Sequence, residues 1–246
     1  MRRFYFDKDD MYGDIIRITG NDVNHIKNVL RMKAGERVVA NDKDSTDYYC
    51  VIEDITSEQV MLKIESFRKC SAELKTKLYL FQALPKQDKM EFIVQKAVEL
   101  GAHKIIPVAS SRCVVKLDDK KRQEKKLARW QMIAESAAKQ SARGIIPKVE
   151  GIMSFKEAID YAANLSYSII PYEHAKGMEE SRQYINEAAE CDTVGIFIGP
   201  EGGFEEEEIE YAVKRDIKPI SLGNRILRTE TAGLCVLSIL MFKLSE

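Results

Sequence analysis

The chain has 246 residues and a mass of 28.1 kDa, with 45% hydrophobic and 31% charged residues. That length suits one large domain or two smaller ones, and the apolar content is enough to bury a core, so the chain need not be disordered. With 38 Lys and Arg against 39 Asp and Glu, the net charge of -1 does not by itself announce a nucleic-acid binder.

The longest strongly apolar run, residues 232–242, falls short of the ~20 residues of a membrane span. The first ten residues turn acidic where a signal peptide needs an apolar stretch. A soluble, cytoplasmic protein without membrane attachment is therefore expected. The cysteines Cys50, Cys70, Cys113, Cys191 and Cys235 are odd in number, far apart and form no C-x-x-C pair. They read as free thiols rather than a disulfide framework. His25, His103 and His174 are equally scattered, so no metal site is expected.

Residues 4–6, 15–18, 37–40, 48–52 and 59–64 are short β-branched or aromatic runs separated by Gly, Asn, Asp and Ser. Their spacing predicts a small β-barrel. It is interrupted by a helix over 23–32 that Asp22 is placed to cap. From about Lys75 strands alternate with helices. Strands are expected at 78–84, 104–108, 166–170, 194–198 and 217–221. Helices are expected after Asp88, over 120–142, and from near Ser154, Met178 and Phe204. Asp88 with Glu91 resembles a capping box. This alternation predicts a parallel sheet covered on both faces. The expected division is 1–72 and 73–246.

The charge is unevenly spread. Residues 112–148 hold 11 Lys and Arg against 4 Asp and Glu, and residues 17–37 hold five against two, with His25 beside them. Such regions suit a phosphate footprint or an ordinary solvated helix face. In contrast, residues 201–210 carry six glutamates, and Glu205 to Glu208 suit the first turn of a helix.

Two segments carry chemistry. In the first, a strand runs into Gly199, Pro200, Glu201, Gly202, Gly203 and Phe204. Glycines there let a ligand approach the backbone, although a tight structural turn explains them equally well. The run is neither a P-loop nor a dinucleotide fingerprint. In the second, Ser221, Leu222 and Gly223 precede Asn224, Arg225, Ile226, Leu227, Arg228, Thr229, Glu230, Thr231 and Ala232. Thr229 or Thr231 is placed to cap the following helix. That helix is apolar nearly all round and so demands burial, against a second subunit among the options. Arg225, Arg228 and Glu230 form an internal ion pair or serve a function.

Together these segments resemble the SPOUT methyltransferases, and more closely the bacterial 16S rRNA uracil-N3 methyltransferases. Matches lie at residues 2–5 with 25–38, at 86–101, at 198–204 and at 221–232, in order along nearly the whole chain. Asn224 stands where proline is expected. The resemblance implies a PUA-like β-barrel followed by an α/β domain with a trefoil knot, a homodimer, and S-adenosylmethionine as methyl donor. It implies a cofactor pocket from Pro171, Tyr172, Ile198, Gly199, Pro200, Glu201, Gly202, Gly203, Ser221, Leu222, Gly223, Ile226, Leu227, Arg228, Thr229, Thr231 and Ala232.

The implied reaction is attack by uracil N3 of 16S rRNA, in the small ribosomal subunit, on a sulfonium methyl. Arg228 and Arg225 are then candidate cations, and Glu230 or Glu201 a candidate proton acceptor. Arg2, Arg3, His25, Lys27, Arg31 and Arg37, with Arg112 and Arg143 of the basic stretch, are candidates to hold the RNA. A SPOUT enzyme with another target atom and a non-enzymatic RNA-binding protein are the competing readings. The methylated nucleoside and cofactor binding separate them.

Overall fold

The computed structural model describes residues 1–113, 119–175 and 177–245. They fall into two units, Met1–Glu73 with Ala138–Ile146, and Leu74–Ala137 with Pro147–Glu246.

The first unit is a six-stranded sheet. Its strands are β1 (Arg2–Tyr5), β2 (Met11–Tyr12), β3 (Ile15–Thr19), β4 (Arg37–Asn41), β5 (Thr46–Ile55) and β6 (Gln59–Lys69). Their order is β1-β4-β5-β6-β3-β2, antiparallel except for the β1–β4 pair. Alternate residues Ile16 and Ile18, Val38 and Ala40, and Cys50 and Ile52 point into one core with Phe4, Phe6, Val60 and Leu62. Burial pushes the Cys50 thiol up to about 12, so it packs as a small hydrophobe.

The helix expected over 23–32 is cut short. A single turn, α1 (Asn21–Asn24), passes into a π-helical turn at His25–Val29, closed by Leu30 N–H donating to the His25 carbonyl at 2.8 Å. Arg31 then takes a left-handed conformation, φ 53°, which ends the helix. Asp22 does not cap it. Gly20 holds that place, and the Asp22 carboxylate accepts from Lys139 at 3.0 Å.

The second unit contains β7 (Lys77–Ala83), α2 (Lys89–Glu99), β8 (Ala102–Ala109), β9 (Lys148–Val149), β10 (Met153–Ser154), β11 (Tyr167–Pro171), β12 (Thr193–Ile198) and β13 (Lys218–Ile220). It also contains α4 (Phe155–Ala162), α5 (Met178–Ala189), α6 (Glu206–Val213) and α7 (Thr229–Leu244). The helix α3 (Lys120–Gln140) ends at residues counted with the first unit. The sheet order is β10-β8-β7-β12-β11-β13, with β9 on β8, and every pairing is parallel. Phe81 and Phe197 stack at 4.3 Å in its core, and Phe155 meets Phe197 and Phe204 edge-on or tilted.

Local capping follows tertiary partners rather than sequence spacing. Asp88 precedes α2 without a side-chain cap, and the Glu91 carboxylate, which would complete the box, is taken by Arg129, which also lowers its pKa. Ser154 and Glu157 do form a capping box on α4. Helix α6 starts at Glu206 rather than Phe204, with Glu205 and Glu208 as a reciprocal box. Arg228 precedes α7, so neither Thr229 nor Thr231 caps it. Only one face of α7 is buried, through Thr229, Gly233, Val236, Leu237 and Leu240, while Phe242 is 82% exposed.

Candidate active site

Because the second sheet is parallel throughout, its strands end at one edge. Strand β7 has β8 on one side and β12 on the other, which makes β7/β12 a topological switch point, where open α/β sheets bind ligands. Residues 199–205 follow β12 there, residues 221–228 follow β13, and Pro171 ends β11. Tyr172 N–H donates to the Ile220 carbonyl at 2.9 Å, tying two of these ends together.

The glycine loop is anchored and open at once. Phe204 is buried against Phe155 at 5.2 Å and roots the loop in the core. Gly203 (φ 69°) and Gly223 (φ 101°) adopt left-handed conformations, and nothing lies within 4 Å of where a Cβ would stand. Their backbones therefore face open space that an L side chain would both strain and fill. The sequence left a tight turn and a ligand loop as equal readings; Gly203 N–H donates to the Pro200 carbonyl at 2.9 Å, so the turn is present, and the uncrowded glycines leave its outer side free.

A buried relay joins this loop to α7. Thr229 Oγ1 donates to the Gly199 carbonyl at 2.6 Å and accepts from Gln82 Nε2 at 2.9 Å. Gln82 is fully buried on β7, and its Oε1 has no partner among the described residues. Sequence reading missed Gln82, although a polar residue inside an apolar strand was the available signal. Thr229→Val keeps the shape of the side chain and removes both bonds. Denaturant unfolding of that variant should show a loss of about 2 kcal/mol. An unchanged stability would mean that the relay holds nothing.

Charges at the loop also pair across the fold. Lys89 Nζ lies 3.3 Å from Glu201 Oε1 and 3.2 Å from Glu230 Oε2. Glu201 further accepts from Lys86 N–H at 3.1 Å. Burial works against the Glu201 carboxylate, but its backbone donors and Lys89 outweigh it and hold the group below its usual pKa. The internal Arg–Glu pair considered from sequence does not form, because Glu230 is given to Lys89. Arg225 and Arg228 are exposed and make no ion pair with a described residue. Ile226, between them, is 90% exposed on a loop without regular structure. Leu222 and Leu227 are partly buried, and Thr231 is exposed with Ala232 partly buried behind it on α7. Pro200 is buried and Gly202 exposed. Ser221 Oγ accepts from Gly223 N–H at 3.2 Å.

A separate concavity of about 440 Å³ lies among Ser110, Ser111, Ser154, Phe155, Lys156 and Tyr211, and contains none of the expected cofactor residues.

The RNA candidates divide sharply. Arg2, His25, Lys27, Arg31 and Arg37 are exposed, with Arg37 3.2 Å from Glu65. Arg3 is committed to Asp47 through two 2.8 Å bonds. Arg143 is only 3% exposed, and its guanidinium grips Glu73 at 2.8 and 2.7 Å. Its expected place on the RNA is corrected: a group so buried and paired does not reach a phosphate. Arg112 is exposed but braces the glycine loop, donating to the Gly202 carbonyl and to Glu205, each at 2.7 Å. Along α3, Lys120, Lys121, Arg122 and Lys125 are exposed and unpaired among the described residues. Residues 114–118 of the basic stretch lie outside the described residues.

The parallel sheet with two loops at the carboxyl ends of its strands is the architecture of a nucleotide-type cofactor site. Two family models match the chain, an RNA methyltransferase domain over residues 72–241 and an RNA methyltransferase PUA domain over 18–65. The chain is 37% identical over 229 residues to the ribosomal RNA small subunit methyltransferase E of Bacillus subtilis (strain 168), covering 92% of this chain and 89% of that protein. It is 35% identical to that of Mesomycoplasma hyopneumoniae (strain 232), covering 90% and 91%. Among solved structures, the Neisseria gonorrhoeae methyltransferase E bound to S-adenosylmethionine superposes with a TM-score of 0.83 at 32% identity, covering 97% of this chain and 95% of that one. A Legionella pneumophila protein in complex with the bound cofactor gives 0.82 at 31%, covering 97% and 96%. The chain belongs to the ribosomal RNA small subunit methyltransferase E family of RNA methyltransferases, with an N-terminal PUA domain.

Proposed function

We propose that this protein transfers a methyl group from S-adenosylmethionine to N3 of a uracil in 16S rRNA, acting in the cytoplasm as a homodimer on the small ribosomal subunit. The observation that carries the reading is the open glycine loop at the β7/β12 switch point, latched to α7 by Thr229, with Arg228, which has no ion-pair partner among the described residues, directly before that helix. The left-handed, uncrowded Gly203 and Gly223 fit a ligand held largely by backbone groups. The residues that would hold it are Ile198 to Gly203, Ser221 to Leu227, and the first residues of α7, with Pro171 and Tyr172 at one edge.

When bound, the cofactor supplies an electrophilic sulfonium methyl. The protein supplies geometry and charge. Uracil N3 carries a proton at neutral pH and attacks only once that proton has left to solvent at this exposed edge. The charge then spreads onto O2 and O4. Arg228, with Arg225, stabilises that anion, because neither is neutralised by a described carboxylate. Glu230 has Lys89 as its charge partner, with Oε2 3.2 Å from Nζ. N3 lies on the Watson–Crick edge, so the target uracil is unpaired or flipped out.

The exposed Arg2, His25, Lys27, Arg31 and Arg37 would hold the RNA backbone from the small unit. On α3, three cations in the first turn oppose the helix dipole, an unfavourable placement that an incoming phosphate relieves. Replacing Lys120, Lys121 and Lys125 by Gln should weaken RNA binding. It should also flatten the salt dependence by about 0.7 to 0.9 per lost contact, with cofactor affinity unchanged. An unaltered salt slope would remove α3 from the interface.

The dimer rests on the exposed apolar face of α7, with Ile239 and Phe242 uncovered. The trefoil knot belongs to the same reading. It is supported by the chain's return from β13, at the sheet's edge, to pack α7 on β7, β12 and α2.

The test is transfer of labelled methyl to small-subunit particles lacking the modification, followed by nucleoside analysis. Label in 3-methyluridine is expected. Label in a ribose or a purine would move the chain to another target atom, and failure to bind S-adenosylmethionine would leave an RNA-binding protein.

A further inference from the structure

The segment joining β7 to α2 has no part in the chemistry above, yet its geometry is specific. The chain leaves Ala83 at the switch point and turns through residues 84–88, where Gln87 takes a left-handed conformation, φ 58°. A long side chain in that region is uncommon and strained, and such strain collects where a turn must deliver groups to a site. This turn delivers two. Lys86 donates its backbone N–H to the Glu201 carboxylate at 3.1 Å. Lys89, in the first turn of α2, places Nζ between Glu201 of the glycine loop and Glu230 of α7. Both carboxylates lie within 3.3 Å of that one ammonium. The side chain is 25% exposed, so solvent only partly screens the contacts.

We propose that Lys89 is a positioning residue for methyl transfer, locking the glycine loop against the start of α7 so that the cofactor backbone contacts and Arg228 keep one relative placement. The inference rests on the function proposed above. Two independent ties then span the same junction. The buried one runs from Gln82 through Thr229 to Gly199, and the second runs from Glu201 through Lys89 to Glu230. Only the second consists of charges. Removing its cation leaves two like charges on the facing segments, so the loop is pushed from α7 as well as released. Arginine at this place keeps the charge and two donors. Removing one carboxylate together with the lysine removes the repulsion but not the missing tie.

The full-length protein and the variants Lys89→Met, Lys89→Arg and Lys89→Met/Glu201→Gln are compared for S-adenosylmethionine affinity by calorimetry, for kcat and KM on unmodified small-subunit particles, and for the thermal midpoint. Lys89→Met is expected to bind the cofactor about tenfold more weakly, through the loss of the two ion-pair contacts at the loop, and to lower kcat as well. Lys89→Arg should recover most of both, and the double variant should bind better than Lys89→Met alone. Wild-type protein that binds no S-adenosylmethionine would overturn the functional reading and this inference with it. Wild-type binding together with Lys89→Met within twofold of it in affinity and kcat would overturn this inference alone. Equal damage in Lys89→Arg and Lys89→Met with a lowered midpoint in both would assign Lys89 to packing.

Discussion

Arg228→Ala is expected to lower kcat on the order of a hundredfold or more, while S-adenosylmethionine affinity changes only a few-fold. Charged donors aimed at a developing anion carry that magnitude because they act in the transition state and little in the ground state. Arg228 stands immediately before α7, is exposed, and has no ion-pair partner among the described residues. Its truncation leaves no buried charge behind, so the unfolding free energy should stay within about 0.5 kcal/mol of wild type. Single-turnover methylation and calorimetric cofactor titration separate the two effects. A parallel loss in cofactor affinity would make Arg228 a cofactor ligand rather than a stabiliser of the uracil anion.

Arg143→Ala should act in the opposite way, through stability. The guanidinium is buried and donates twice to Glu73, and that carboxylate also accepts from the N–H groups of Gly144 and Ile145 at 2.7 and 3.3 Å. The Arg143 carbonyl accepts from the Tyr5 hydroxyl at 2.5 Å, and burial pushes that hydroxyl above its ordinary pKa. The variant strands an ionised Glu73, a loss on the order of 3–5 kcal/mol. Denaturant unfolding reads it directly. The folded fraction should bind RNA with wild-type affinity and salt slope. A stable variant with weakened RNA binding would return Arg143 to the interface.

The contrast between these two arginines shows what was legible. Both stand in basic or polar contexts that suggested contact with substrate or RNA. Residues 221–232 announced a loop by their glycine and their break in periodicity, and Arg228 stayed exposed there. Arg143 looked the same in sequence, as one of 11 cations between 112 and 148, but its fate depended on Glu73, 70 positions away. Arg112 was likewise legible as exposed and not as a brace, because its partner Gly202 lies 90 positions on. Gln82 was visible as a polar residue within a strand. Its role was not, since Thr229 is 147 positions distant.

The alternation of strand and helix after Lys75, the short strands before it, the two glycine-bearing loops and the family they mark are all legible in local sequence. Periodicity, turn residues and motif spacing are short-range properties, encoded within a few neighbours of each residue. Which charges meet depends on the folded chain: Glu230 with Lys89 instead of Arg225 or Arg228, Glu91 with Arg129 instead of the helix end, and Asp22 with Lys139. An ion pair is set by distance in space and by the water excluded around it, and a parallel sheet brings together strand ends that are remote in the chain.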